Sequence, residues 1–106
     1  MMEYKLRDVA SVIRSKNSGP YELTFDIIFK DVEMFNKVKA AKAINNKMFA
    51  ELYEIDQSEI IGLVYFEPAK AVKITIVRPF PSGALGETDV YGAQQHAPLM
   101  NMKFTL

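Results

Sequence analysis

Alternation of apolar and polar residues with a period of two predicts strands in several parts of the chain. The clearest example runs from Tyr21 to Phe29, where large apolar side chains alternate with polar ones over most of the segment. Val72–Val77 repeats the pattern until Pro79, which has no N–H to donate to a ladder. Met100–Leu106 predicts the last strand. Ile60–Phe66 is apolar on both sides of the pleat, so we expect its outward face to be covered as well.

Apolar residues spaced three and four apart predict the helices. The first helix is predicted by four such residues, namely Leu6, Val9, Ala10 and Ile13. The polar cluster Ser15–Pro20 then predicts a loop. Asp31 is a suitable N-cap, and Asn45-Asn46 interrupts the stripe that follows, so we expect two helices or one broken helix there. Asp56–Glu59 resembles a capping box before a single turn, and Thr88–His96 is a candidate short helix.

The order of the elements predicts an α+β fold. With the N-terminal helix or arm set aside, it reads strand, helical pair, strand, strand, short helix or loop, and strand. This βαββαβ-type order is that of the ferredoxin-like sandwich, here with a long loop before the last strand. Its first and third strands are central neighbours, so we expect Asp26 and Lys73 to pair across the sheet. The predicted core joins one side of each strand to the helical stripes: Leu23, Phe25, Ile27, Phe29, Phe35, Val38, Phe49, Leu52, Val72, Ile74, Ile76, Met102 and Phe104.

Length and charge then limit the kinds of function. At 106 residues and 12.0 kDa, we expect a single domain over 1–106. Thirteen basic and thirteen acidic residues cancel, which removes the usual attraction to nucleic acid or to an anionic membrane. The longest apolar run has seven residues, against about 20 for a membrane span, and no secretory signal is recognisable. We therefore expect a cytoplasmic protein without nucleic-acid or membrane partners.

The sole histidine is the first candidate for chemistry. His96 is the one side chain whose ordinary pKa lies near neutrality, so it is suited to acid/base catalysis. Asp89 or Glu87 could hold its tautomer, and Tyr91 could donate a proton. The alternative is that these side chains pin a long loop to the body of the protein. One histidine and no cysteine make a transition-metal site unexpected, and no cofactor is predicted.

Other polar residues are candidates for binding an acidic ligand. Gln94 and Gln95 could orient a carbonyl or carboxylate, and Arg78, at a strand end, could bind a carboxylate through two hydrogen bonds. A cationic loop that could hold a phosphate or carboxylate is formed by Arg14, Lys16 and Asn17. The alternatives are a surface ion pair for Arg78 and a solvated loop for the other three.

Three segments carry a family resemblance. Leu6–Ala10, Asp26–Asp31 and Asp89–Leu99 resemble motifs of a small, uncharacterised family associated with acyclic terpene utilisation (AtuA-like) proteins. The segment Leu6–Ala10, followed by Arg14-Ser15, is also similar to the start of the ferredoxin-like domain attached to AtuA proteins. The resemblance implies a role near the degradation of acyl-CoA-type intermediates. Ser15–Gly19 departs from the acidic, Gly-rich loop of that domain, so no acidic role is transferred to it.

Two functional hypotheses follow from these observations. The first is a small interaction or accessory subunit that forms a homo-oligomer through its sheet or long loop and works beside a larger AtuA-like partner. Its basis is the resemblance and the strand Ile60–Phe66, which is apolar on both faces. The alternative is a small standalone enzyme or a binding protein for an acidic metabolite, with its site at the His96 loop. Whether the protein is an enzyme stays open at this stage.

Overall fold

The computed structural model describes residues 2–19, 21–77 and 97–106, which form a mixed α+β fold with two antiparallel sheets. The strands are β1 Glu3–Lys5, β2 Ala10–Gly19, β3 Glu22–Phe29, β4 Ile60–Phe66, β5 Ala71–Val77 and β6 Lys103–Thr105. The helices in these ranges are α1 Leu6–Val9, α2 Val32–Ala41, α3 Asn46–Tyr53 and α4 Ala97–Met100.

The main sheet has four strands in the order β2-β3-β5-β4, while β1 and β6 form a separate two-stranded sheet. The α+β class is therefore confirmed, but the last strand differs from the prediction. It spans only Lys103–Thr105, because Met100 belongs to α4, and it pairs with β1 so that Tyr4 lies opposite Phe104. In the predicted order this strand would form one edge of the main sheet, but β2 occupies that edge.

The N-terminal helix is much shorter than its apolar spacing predicts, and the predicted loop Ser15–Pro20 is wrong up to Gly19. Helix α1 ends at Val9, and the chain continues as β2, antiparallel to β3. Ile13 lies opposite Ile27, on the side of the sheet that the helices cover. Backbone pairing along β3 outweighs the poor intrinsic strand preference of Ser, Asn and Gly in this segment.

The region after β3 forms two helices, one of the two predicted outcomes. The side chain of Asp31 caps α2 by accepting a hydrogen bond from the Met34 N–H at 2.7 Å. Lys42 ends that helix in the left-handed conformation, with φ 52°. Asn45 then caps α3 through the Met48 N–H at 2.8 Å. The predicted single turn before β4 is also present, with Asp56 as its cap.

The hydrophobic core lies between α2, α3 and one face of the main sheet. Phe25 is fully buried, and its ring centroid lies 5.0 Å from those of Phe49 and Tyr53. The predicted core residues are buried except Leu52, which is half-buried and packs against the cluster. The core also takes in residues outside the predicted set, including Leu6, Ile44, Ile60 and Leu99.

A candidate interaction face on the four-stranded sheet

The helices cover only one side of the main sheet. The other side is formed by the alternate residues of its strands, and we call it the helix-free face. Many of its side chains are exposed to solvent. They comprise Arg14 and Lys16 of β2, Lys73 and Val77 of β5, and Val64 and Phe66 of β4. A sheet face that exposes both apolar and cationic side chains is a candidate binding surface.

An ion pair between β2 and β3 lies on this face. Arg14 stands opposite Asp26, and its Nε lies 3.0 Å from Asp26 Oδ2. The carboxylate side chain is only 3% exposed, whereas the arginine side chain is 57% exposed. Because the contact uses Nε, it orients the guanidinium and leaves its two terminal nitrogens for another group. The second carboxylate oxygen, Oδ1, is buried and has no hydrogen-bond partner among the described residues.

The ion pair corrects one prediction from the sequence. The register does place Lys73 directly opposite Asp26, as expected, but the carboxylate bonds to Arg14. Arg14 could not be identified as the partner because β2 was not predicted as a strand. Next to this pair, the hydroxyl oxygens of Thr24 and Thr75 lie 3.3 Å apart across the two central strands. The centre of the face is thus held by side-chain hydrogen bonds.

An apolar strip follows β4 along the same face. Val64 is 56% exposed and Phe66 is 46% exposed, so the expected cover over the outward face of this strand is not provided by the described residues. Gly62 precedes the strip on the same face of β4, and a Cβ added there would meet no other described residue within 4 Å. The fold itself therefore does not require a glycine at this position for space. A glycine inside a strand often marks a place where another backbone approaches closely.

The structure divides the predicted site residues into separate groups. Arg14 and Lys16 share the helix-free face, so these two cations are brought together. Asn17 alternates to the other side of β2, opposite Leu23, and therefore does not join them. The remaining candidates lie outside the described residues and stay predictions: Arg78, Asp89, Tyr91, Gln94, Gln95 and His96.

A second feature was missed in the sequence altogether. The Tyr65 hydroxyl of β4 donates a hydrogen bond to the Ile44 carbonyl at 2.6 Å, and the Ile44 N–H donates back to it at 3.3 Å. Burial raises the pKa of Tyr65 above its ordinary value, although the hydrogen bond to Ile44 opposes this shift. Tyr65 was visible only as part of an apolar run, and nothing in the sequence links it to the segment between α2 and α3.

No group of three or more His, Cys, Asp or Glu side chains in the described residues is arranged to hold a metal ion. Likewise, none of the helices in those residues is long and apolar enough to cross a membrane.

Comparison with known proteins gives one match. The model of a family described as a domain of unknown function, DUF4387, matches residues 6–103. Neither a curated protein nor a solved structure matches the chain.

Proposed function

The chain belongs to the DUF4387 family, and we propose that it is a small interaction subunit that self-associates through the helix-free face of its main sheet. The observation that carries this proposal is the exposed apolar strip formed by Val64 and Phe66 beside Gly62. Contiguous apolar side chains on a soluble domain usually mark a contact surface. Pairing of one such face with its own copy is the commonest way in which a small chain forms a dimer.

The proposal includes a larger AtuA-like partner in the cytoplasmic catabolism of acyl-CoA-type metabolites. Its basis is a resemblance to motifs of a small family that is associated with AtuA-like proteins. Three segments carry this resemblance, namely Leu6–Ala10, Asp26–Asp31 and Asp89–Leu99. A ferredoxin-like relationship belongs to the same proposal. The elements β3, α2 with α3, β4 and β5 follow the βαββ part of that order, and β2 fills the edge that its last strand would hold.

The partner can be tested with a pair of matched variants. Val64 on β4 and Val32 on α2 are 56% and 57% exposed, so a lysine at either position loses little core packing. Tagged wild type and both variants would be used to capture proteins from the native host, followed by mass spectrometry. We expect wild type and Val32→Lys to retain an AtuA-like protein and Val64→Lys to lose it. Equal capture by all three proteins, or no AtuA-like protein with any of them, would contradict the proposal.

A second candidate function is the binding of a small acidic metabolite at the Arg14 guanidinium. The buried Asp26 orients this guanidinium through Nε, and Lys16 adds a second cation on the same face. A guanidinium held in this way is suited to a carboxylate or phosphate. Calorimetric titration with malonate and with inorganic phosphate tests this. Binding that is lost in Arg14→Gln and kept in Lys103→Gln would support it, whereas the absence of saturable binding to wild type would dismiss it.

A further inference from the structure

The two edges of the main sheet differ in how they are protected. Edge strands usually carry charges, prolines or bulges that prevent pairing with another chain. The outer strand β2 has Arg14 and Lys16 and two register irregularities. The other outer strand, β4, has seven residues without a charge or proline, and its single irregularity lies between Ile60 and Gly62. In the described part of the chain, β4 pairs only with β5, so one row of its backbone N–H and C=O groups has no strand partner.

A groove of about 410 Å³ lies along this unprotected edge, on the helix side of the sheet. Its apolar wall is formed by Leu63, Tyr65 and the fully buried Ile44. The two hydrogen bonds between the Tyr65 hydroxyl and the Ile44 backbone hold this wall in place. The groove is therefore shaped before any partner arrives, which reduces the entropy that binding would cost.

The rim of the groove is positively charged. Lys39, Lys42, Asn45 and Asn46 line it together with the apolar wall, and none of its lining residues is acidic. Lys39 forms an ion pair with Glu67, while no carboxylate in the described residues pairs with Lys42. The start of α3 at Asn46 also presents the positive end of a helix dipole. The complementary occupant is consequently one that brings negative charge.

A second copy of the chain does not meet this requirement. Antiparallel pairing of β4 with its own copy would relate the two grooves by a two-fold axis through the joined edge. Lys42 of both copies would then lie on the same side of that junction, with no acidic residue lining either groove and Lys39 already paired with Glu67. Repulsion between like charges disfavours this arrangement.

We propose that the free edge of β4 binds an extended acidic segment of a partner protein, which adds to the main sheet as a fifth strand. Backbone hydrogen bonds to β4 supply the general affinity, and side chains at alternate positions of the segment supply the specificity. One row places a carboxylate at Lys42, and the other row lies beside Val64 on the helix-free face. The site borders the proposed self-associating face at Val64, but it does not depend on self-association.

A synthetic peptide tests the edge directly. The probe is a capped six-residue peptide that alternates glutamate and valine, with a lysine–valine peptide of the same length as its counterpart. Binding is followed by amide chemical shifts and amide hydrogen exchange of the isotopically labelled protein. We expect saturable binding of the acidic peptide, with protection of amides within Ile60–Phe66, and no binding of the basic one. Equal binding of the two peptides, or no saturation by the acidic peptide at about 1 mM, would overturn the proposal.

Charge reversal in the groove gives the second arm of the test. Lys42→Glu should weaken binding of the acidic peptide about tenfold, whereas Lys103→Glu, with the same change in net charge on β6, should leave it unchanged. Glutamate is compatible with the left-handed conformation of Lys42, because Glu54 adopts it with φ 55° in this chain. Equal affinity of the two variants would contradict the proposal. Protection of β4 amides that grows with protein concentration in the absence of peptide, and that persists in Val77→Lys, would assign the edge to a second copy instead.

Different experiments test the proposed edge site and the proposed self-associating face. Lys42→Glu should leave the molar mass of the protein in solution unchanged, since Lys42 lies on the helix side of the sheet. Val77→Lys, on the helix-free face of β5 rather than on the edge strand β4, should lower self-association and leave peptide affinity unchanged. A change of both quantities by Lys42→Glu, or of both by Val77→Lys, would contradict the separation of the two sites.

Discussion

Removal of the Arg14 guanidinium should destabilise the folded protein, because it leaves a buried carboxylate without a partner. Asp26 has a side chain that is 3% exposed, and its Oδ1 already lacks a hydrogen bond within the described part of the chain. In Arg14→Ala, Oδ2 would lose its bond as well. An unpaired buried group of this kind costs about 1–3 kcal/mol. The 57% exposure of the Arg14 side chain keeps the loss below the 3–5 kcal/mol that is typical when a fully buried pair is broken.

A double-mutant cycle separates this effect from the general loss of a side chain. The free energy of unfolding would be measured by urea denaturation for wild type, Arg14→Ala, Asp26→Asn and the double variant. We expect a coupling energy of about 1 kcal/mol or more, since asparagine removes the charge that Arg14 compensates. Lys16→Ala is the matched control on the same face of β2, and it should change the free energy by no more than about 0.5 kcal/mol. Additive effects, or equal losses in Arg14→Ala and Lys16→Ala, would refute this reasoning.

Further predictions concern the core, the groove and the strip. Phe25→Ala should cost about 3–5 kcal/mol in urea denaturation, because its fully buried ring packs on two other rings, and wild-type-like unfolding would contradict the assigned core. Because the pKa of Tyr65 is raised in the folded protein, the contribution of this tyrosine to the free energy of unfolding is complete below pH 10.0 and is lost as the pH rises further. Tyr65→Phe should therefore lower the free energy of unfolding by about 0.5–1.5 kcal/mol at neutral pH and make the protein lose less stability in alkaline solution. An unchanged dependence of stability on pH would exclude Tyr65 as the source of that loss. Gly62→Val should fold at least as well as wild type but self-associate less, as measured by thermal melting and light scattering, and unchanged association would remove Gly62 from the interface.

Sequence patterns predicted the parts of the fold that have one buried face. Phe25 and Ile74, for example, lie opposite each other in the central pair of strands, and the period-two alternation around each of them placed both in the core. The cap Asp31 was similarly visible, because its side chain bonds to an N–H group only three residues ahead, and Asn45-Asn46 was visible as the break between the two helices. Local periodicity and capping need only neighbouring residues, so one sequence suffices to show them.

The parts that the sequence did not reveal depend on contacts between distant residues. Strand β2 exists because β3 pairs along it. The spacing of Leu6, Val9, Ala10 and Ile13, which runs from α1 into β2, also fits a single helix. For the same reason β6 was placed in the wrong sheet, since nothing near Phe104 indicates that Tyr4 lies opposite it. The ion pair between Arg14 and Asp26 could not be predicted without the register of β2 and β3. The groove could not be predicted without the contact between Tyr65 and Ile44.

The molar mass of the wild-type protein in solution tests the central claim most directly. Static light scattering at tens of micromolar should give at least twice the 12.0 kDa of one chain. Val64→Lys should return the mass to that of a single chain, because a charge would then lie in the apolar strip, while Val32→Lys should keep the wild-type mass. A wild-type protein that stays at 12.0 kDa under these conditions would contradict self-association through the helix-free face.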